Sequence, residues 1–462
     1  MRKKILSIVL TLCMLLGLFP FALGTAAYST VENSGETWNQ ISTPDDLIAL
    51  MNDSSLWTQN YVLTQDIDLS TYTGDLSQKP IGDNTQHFKG KFNGADFEIK
   101  GVNLVDNSTA EARFGFFGYI ENAEIKNLTI SGTITSSGTN YVGGLVGLTW
   151  SSATIENCVN NCDVTAENAA RVGGIIGLVN VSEASNTVAI TVRGCTNNGD
   201  ISGKEMVGGI IGRIEVPSEN DNLSVTVEDC ENNGSVTGSA TYVGGIIGIS
   251  NIGTSGKAAA ATSVITGCRN TGAVSGKQNV AGICGYLRAY VADRQTVSYC
   301  ANYGEISAQR YLGGITGYTN SPVGGQTVTE CMNAGTIIGT VSSAPSDAGG
   351  ITGIAWQLHV TNCLNTGEIR GYANSSGIVG RVNGNTYSYT IASNYTSGTW
   401  SVPDETANAA AIVGETVTAS KAMVAENNYY SAGAEDVNGT YVAPAAVALA
   451  ASFPGLSTES WI

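Results

Sequence analysis

The sequence predicts an all-β fold, a parallel β-helix in which short strands wind into stacked coils, and three observations carry that expectation. A seven-residue pattern ending in glycine recurs along the 462-residue chain. A second pattern with fixed Cys, Asn and Gly positions alternates with it. Val, Ile and Thr dominate both, and Gly-Gly pairs recur, which suits strands and would cripple a helix interior.

The glycine pattern reads Tyr-Val-Gly-Gly-Leu-Val-Gly at 141–147, and it returns at 171–177, 206–212 and 242–248. Looser copies end at Gly285, Gly317, Gly353, Gly380 and Gly414, and an aromatic version, Phe114-Gly-Phe-Phe-Gly, ends at Gly118. The final glycines lie 29, 30, 35, 36, 37, 32, 36, 27 and 34 residues apart. A period near 33 with variable insertions marks a solenoid whose loops absorb the differences. A propeller blade needs four strands and usually more residues, and no Trp-Asp-type signature is present. Ten coils at a spacing of ~4.8 Å would give a core roughly 50 Å long.

The second pattern is aliphatic, two residues, Cys, any, Asn, any, Gly, any, aliphatic. Val192/Cys195/Asn197/Gly199/Ile201 is typical, and it repeats around Cys230, Cys268, Cys300, Cys331 and Cys363. The first member, around Cys158 and Asn160, carries Cys162 in the glycine place. An N-terminal relative puts Leu128 and Ile130 in the Cys and Asn places; a C-terminal one puts Asn394 and Trp400 in the Cys and second aliphatic places. Stacked coils turn such positions into columns. Asn160, Asn197, Asn232, Asn270, Asn302, Asn333 and Asn365 are expected to face inward and hydrogen-bond to their equivalents above and below. The glycine two residues later supplies either a positive φ or room for close coil approach. The glycine closing each seven-residue strand has the same two readings. Cys158, Cys195, Cys230, Cys268, Cys300, Cys331 and Cys363 are expected to form a compact buried stack of free thiols. Disulfides suit exported proteins, but parallel side chains on adjacent strands point the wrong way for bridging.

Composition narrows the function. The net charge is −17, charged residues make up 13 %, and there are only 2 histidines. A chain this acidic is a poor nucleic-acid binder, because phosphates demand a basic face. Arg2, Lys3 and Lys4, the uncharged apolar run from Ile5 to Leu18, and Ala22 to Ala27 read as a secretory signal. No second hydrophobic span follows, so no membrane insertion is expected after signal cleavage. The organisation expected is a signal at 1–27, an N-terminal cap segment with a short helix near 43–51 at 28–80, the β-helix at 81–434, and a C-terminal cap or tail at 435–462. The chain ends Ser460-Trp461-Ile462 without a Leu-Pro-x-Thr-Gly-like sorting signal. Free secretion, non-covalent retention and membership of a longer protein stay open.

Each glycine strand ends Gly, Leu or Ile, hydrophobic, Gly: 144–147, then 174–177, 209–212 and 245–248. This resembles the GLUG repeat of bacterial secreted and cell-surface proteins, in which U is a hydrophobic residue. Thr316 and Thr352 occupy the U place in two copies, a departure from the pattern. Trp38 to Gly118 is similar to the lead-in of such arrays, and the resemblance covers about 38–434. It implies a right-handed parallel β-helix at or beyond the bacterial surface, adhesin-like or modular. Some relatives append such a region to metallopeptidases that cut immunoglobulin.

A zinc peptidase would need His-Glu-x-x-His; His87 and His359 lack that context. A glycosidase needs two carboxylates ~5–9 Å apart, and the sole Asp-Asp, Asp45-Asp46, sits where a helix's first turn favours acids. Glu219 and Asp221 lie in an inserted loop without EF-hand spacing. One cysteine per coil supplies no convergent metal ligands. No catalytic site, metal or cofactor is therefore expected. Directly after strand-ending glycines come Tyr119, Arg213, Tyr286, Tyr318 and Arg381. These are either ordinary turn residues or a ligand-contact strip of types favoured at recognition surfaces. Inserted loops at 180–190, 214–226 and 250–262 are further contact candidates. The expectation is a non-enzymatic structural or binding protein, adhesin-like, with a host or glycan ligand. The alternative is a polysaccharide-cleaving lyase or hydrolase on the same scaffold.

Overall fold

The structure, a computed structural model, describes residues 28–430 apart from 108–112, 139–140, 181–187, 217–222, 254–260, 291–293, 322–324, 342–345, 384–388, 402–408, 418–422 and 427. Residues 1–27, read above as a signal, the expected tail at 435–462 and most of the three inserted loops lie outside the described residues. So do Glu219 and Asp221.

The chain opens with β1 (Thr30–Asn33) and β2 (Glu36–Ile41), followed by α1 (Pro44–Asn52) and β3 (Asn60–Leu63). Thr43 starts α1 because its hydroxyl accepts from the Asp46 N–H at 3.2 Å while the Asp46 carboxylate accepts from the Thr43 N–H at 2.9 Å. Pro44 fits the first helical position, where its missing N–H is not needed. Leu47, Ile48, Leu50 and Met51 bury one face of the helix in the core. The Trp57 indole donates to the Leu50 carbonyl at 2.8 Å and ties the helix down. β1 runs antiparallel along β2, so the first coil does not present a bare parallel edge.

From β2 onward the pairing is parallel, and the molecule is a parallel β-solenoid with this one α-helix among the described residues. Stacking thus begins at residue 36 rather than near 81, in early coils that lack the glycine pattern. There the interior is filled by Phe88, Phe92, Phe116 and Phe117, with Phe116 and Phe117 supplied by the aromatic copy of the glycine strand.

Each later coil visits three sheets of 14, 27 and 10 described strands. The coil from Val188 is representative. Val188–Arg193 lies in the first sheet; Thr196–Asn197, Ile201–Gly203 and Val207–Gly208 in the second; Ile211–Val216 in the third. Equivalent residues pair from coil to coil, so the sequence columns are columns in space. Val192 pairs with Val227, Val227 with Ile265, and Ile265 with Val297.

The asparagine column is fully buried. Each amide nitrogen donates to the next asparagine's oxygen at 2.7–2.8 Å, from Asn160 through to Asn365. It also donates to a carbonyl two residues on, as Asn270 does to Gly272 at 2.9 Å. The ladder ends on the Thr396 hydroxyl at 3.2 Å. The second glycine of each Gly-Gly pair makes the room: a Cβ on Gly174 would lie 2.4 Å from the Asn197 oxygen and 2.1 Å from the Gly209 carbonyl. The glycine after each asparagine serves close coil approach, since a Cβ on Gly234 would lie 2.0 Å from the Gly199 carbonyl. These glycines do not carry positive φ, which settles between the two readings.

All nine described cysteines are buried and free. Each column thiol lies within hydrogen-bonding reach of two carbonyls that share its one S–H; Cys230 lies 3.5 Å from the Val192 carbonyl of the preceding coil and 3.3 Å from that of Glu228. Asn394, in the cysteine place, repeats the cross-coil contact by donating to Val360 at 2.9 Å. Burial pushes the Cys162 and Cys284 thiols up to about 12. The polar departures Thr316 and Thr352 stack on consecutive coils and share a 2.9 Å hydroxyl contact inside the core.

Positive φ appears somewhere the sequence reading did not place it: the residue before each of the seven cysteines of the column. Asn157, Gly194, Asp229, Gly267, Tyr299, Glu330 and Asn362 have φ of 53, 61, 52, 65, 54, 54 and 54°. Gly, Asn and Asp tolerate this corner, whereas Tyr and Glu do so only at a cost. Glu330→Asn should therefore stabilise the fold by about 0.5–1 kcal/mol, read as a higher urea midpoint.

Candidate functional site

The third sheet presents to its outside the residue that follows each strand-closing glycine. Tyr119, Leu148, Leu178, Arg213, Ile249, Tyr286, Tyr318, Ile354 and Arg381 pair in one continuous column. All five strip residues are in it, but they do not form one site. Tyr119 lies five coil steps from Tyr286, about 24 Å at ~4.8 Å per step. It stacks on His87 at 3.6 Å and closes a small apolar cluster with Leu148 and Leu178. The Arg213 guanidinium is occupied by Glu215 on its own strand. Tyr286, Tyr318 and Arg381 meet in a cleft.

The cleft exists because the chain turns sharply between the second and third sheets. The first glycine of each pair permits this turn: a Cβ on Gly244 would lie 2.0 Å from the Ile247 carbonyl. The turn brings the residue just before each Val-Gly-Gly, or its equivalent, up against the third-sheet column. The cleft holds about 270 Å³ and is lined by Tyr242, Gln278, Asn279, Tyr286, Tyr311, Tyr318, Ile354, Arg381 and Asn383. Tyr242 and Tyr286 stack with centroids 5.2 Å apart, Tyr286 and Tyr318 are 5.2 Å apart, and Tyr311 and Tyr318 5.8 Å. Arg381 is held by the fully buried Asp347 at 3.3 Å, and Asp347 also accepts from the Asn374 amide at 2.5 Å.

Tyr242, Tyr311, Asn279 and Asp347 were missed as site residues. Tyr242 was visible as the first residue of a glycine copy, but only the corner shows that this column faces Tyr286 and Tyr318. At the other end, Arg113 and Arg171 flank Tyr141 at 5.4 and 4.9 Å from its ring centroid, a cation–π stack the sequence reading also missed.

Burial lifts the Tyr318 phenol to about 12, with Tyr286 and Tyr311 adding to the effect. Burial raises the Tyr286 phenol too, against the pull of Arg288. Both phenols are therefore neutral hydrogen-bonding groups at physiological pH. Among the described residues the lining holds no carboxylate and no imidazole; it offers hydrogen-bond donors, acceptors and aromatic rings. No cluster of three or more potential metal ligands occurs among the described residues.

No family model matches the chain. A "Putative Gly-rich membrane protein" of Evansella cellulosilytica is 40% identical over 93 residues, 19% of this chain and 10% of that protein. Halomucin of Haloquadratum walsbyi is 31% identical over 165 residues, 33% of this chain and 2% of that protein. The chain therefore spans a small fraction of these relatives' length. Among solved structures, one described as a "putative immunoglobulin A1 protease from Bacteroides ovatus" is similar with a TM-score of 0.42 and 16% identity, over 70% of this chain and 83% of that one.

Tyr318 also gives a pH prediction. Its folded pKa of about 12 exceeds the ordinary 10 of an unfolded tyrosine, so the fold holds a proton that the unfolded chain releases. Its contribution to stability is complete below pH ~10 and is lost as pH rises towards ~12. Tyr318→Phe should flatten the alkaline fall of the unfolding midpoint across that window.

Proposed function

We propose that this is an exported bacterial protein of structural and binding, adhesin-like type, displayed at the cell surface or released. The observation that carries this reading is the meeting of Tyr286, Tyr318 and Arg381, from the outward column of the third sheet, in an aromatic cleft whose described lining holds no carboxylate or imidazole. The solenoid suits display, because coils add length while keeping side chains in fixed columns. The basic start and apolar run of 1–27 support export, and the likeness of the glycine strands to GLUG repeats supports a surface setting. One partial relative is named a membrane protein, which agrees with that setting. Among the described residues no helix is long and apolar enough to cross a membrane.

Incubating the chain from residue 28 onward with plant and host glycans separates this reading from the polysaccharide-cleaving alternative. Retention of the protein on glycan- or host-cell-coated surfaces without new reducing ends is expected. Release of reducing ends that scales with protein concentration would establish the enzyme instead.

A further inference from the structure

We infer that the cleft between the second and third sheets is a subsite for a neutral, extended oligosaccharide of pyranose units lying along the solenoid axis; this rests on the binding reading above. Tyr242, Tyr286 and Tyr318 sit on three consecutive coils and form a row of rings at 5.2 Å intervals. A β-linked pyranose chain advances by about the same distance per sugar. Tyr242 and Tyr286 cover one another's facing surfaces, so the sugars' C–H groups pack against the open ring edges and the tilted Tyr318 ring in register with the coils, and rigid tyrosines give such contact at low entropic cost.

A second, independent observation points to a ligand with hydrogen-bond donors. Asn279 lies between Tyr242 and Tyr311 in its column and lines the cleft; it is 4% exposed, yet its side-chain oxygen has no partner. A buried amide oxygen left unpaired is costly, and a sugar hydroxyl arriving with small tyrosine movements would satisfy it. The neighbouring outward column of the third sheet supplies more polar groups. Asn251, Arg288 and Asn320 are successive partners there, and the Asn251 oxygen is likewise buried without a partner.

Charge selects the saccharide class. Arg381, the one cation in the described lining, already faces the Asp347 carboxylate, and Arg288 in the neighbouring column lies over the Tyr290 ring at 4.5 Å. The chain as a whole carries −17, which disfavours uronate polymers and other polyanions.

The test is calorimetric titration of the chain from residue 28 onward with cellohexaose, xylohexaose and mannohexaose, with hexagalacturonate as the acidic comparator. At least one neutral hexasaccharide should bind. Tyr318→Ala and Asn279→Gly should each weaken that binding about tenfold or more; glycine accepts the φ of 57° at position 279. Tyr318→Phe, which keeps the ring, should bind within about threefold of the parent. Tyr299→Ala, exposed at another corner, should change nothing. Parental binding by Tyr318→Ala and Asn279→Gly would overturn the subsite while leaving a glycan-binding protein. Binding of hexagalacturonate alone would overturn the ligand class. If no oligosaccharide binds, the inference fails, and the broader reading then stands or falls on retention by host-cell surfaces.

Discussion

A buried asparagine amide brings two donors and an oxygen that must all be satisfied, and in this interior the partners come from the next coil only when that coil sits in register. Asn160 to Asn365 meet the condition one after another, each with its second donor on a nearby carbonyl. A slip of one residue would leave buried amides unpaired at ~1–3 kcal/mol each, so the ladder fixes pitch and register together. Other features follow from it. The second glycine of each pair is small because the asparagine lies against it, and the glycine after each asparagine lets the coils close to strand spacing. The cysteine column fills the neighbouring corner with thiols in hydrogen-bonding reach of carbonyls of their own and the preceding coil.

Much of this was legible because a solenoid writes its contacts as sequence periodicity. Cys230 and Cys268 are far apart in the chain but occupy equivalent places, so reading the repeat amounts to reading the stack. The N-terminal coils were less legible: β2 and β3 already stack in parallel, but Phe92 and Phe117 fill their interior in place of the asparagine ladder. The left-handed corner before each cysteine of the column was masked by Tyr299 and Glu330, which dilute its Asn/Gly/Asp signal. The binding strip was half legible. The Tyr286, Tyr318 and Arg381 column follows from the glycine period, whereas its meeting with Tyr242, Asn279 and Tyr311 depends on a corner angle that no spacing in the sequence encodes.

The division of labour follows from the alternation of strands. Inward positions of the third sheet are mostly aliphatic, with Phe117 at one end and a few buried polar or thiol side chains, such as Ser250, Thr319, Cys284, Thr316 and Thr352, within the columns. Outward positions are free to vary from coil to coil without disturbing the core. That freedom is what lets one segment of the column gather tyrosines while another holds leucines. A binding face can thus change along the axis while the interior stays the same.

The claim that the asparagine ladder sets the register is tested most directly by comparing Asn270→Ala with Asn198→Ala in urea unfolding. Asn270 links Asn232, Gly272 and Asn302 inside the core. Asn198 joins a similar chain of amides on the exposed surface, accepted by Asn161 at 2.8 Å. The account expects Asn270→Ala to lose about 3 kcal/mol or more and Asn198→Ala about 0.5 kcal/mol or less. Equal, mild losses from the two substitutions would contradict it.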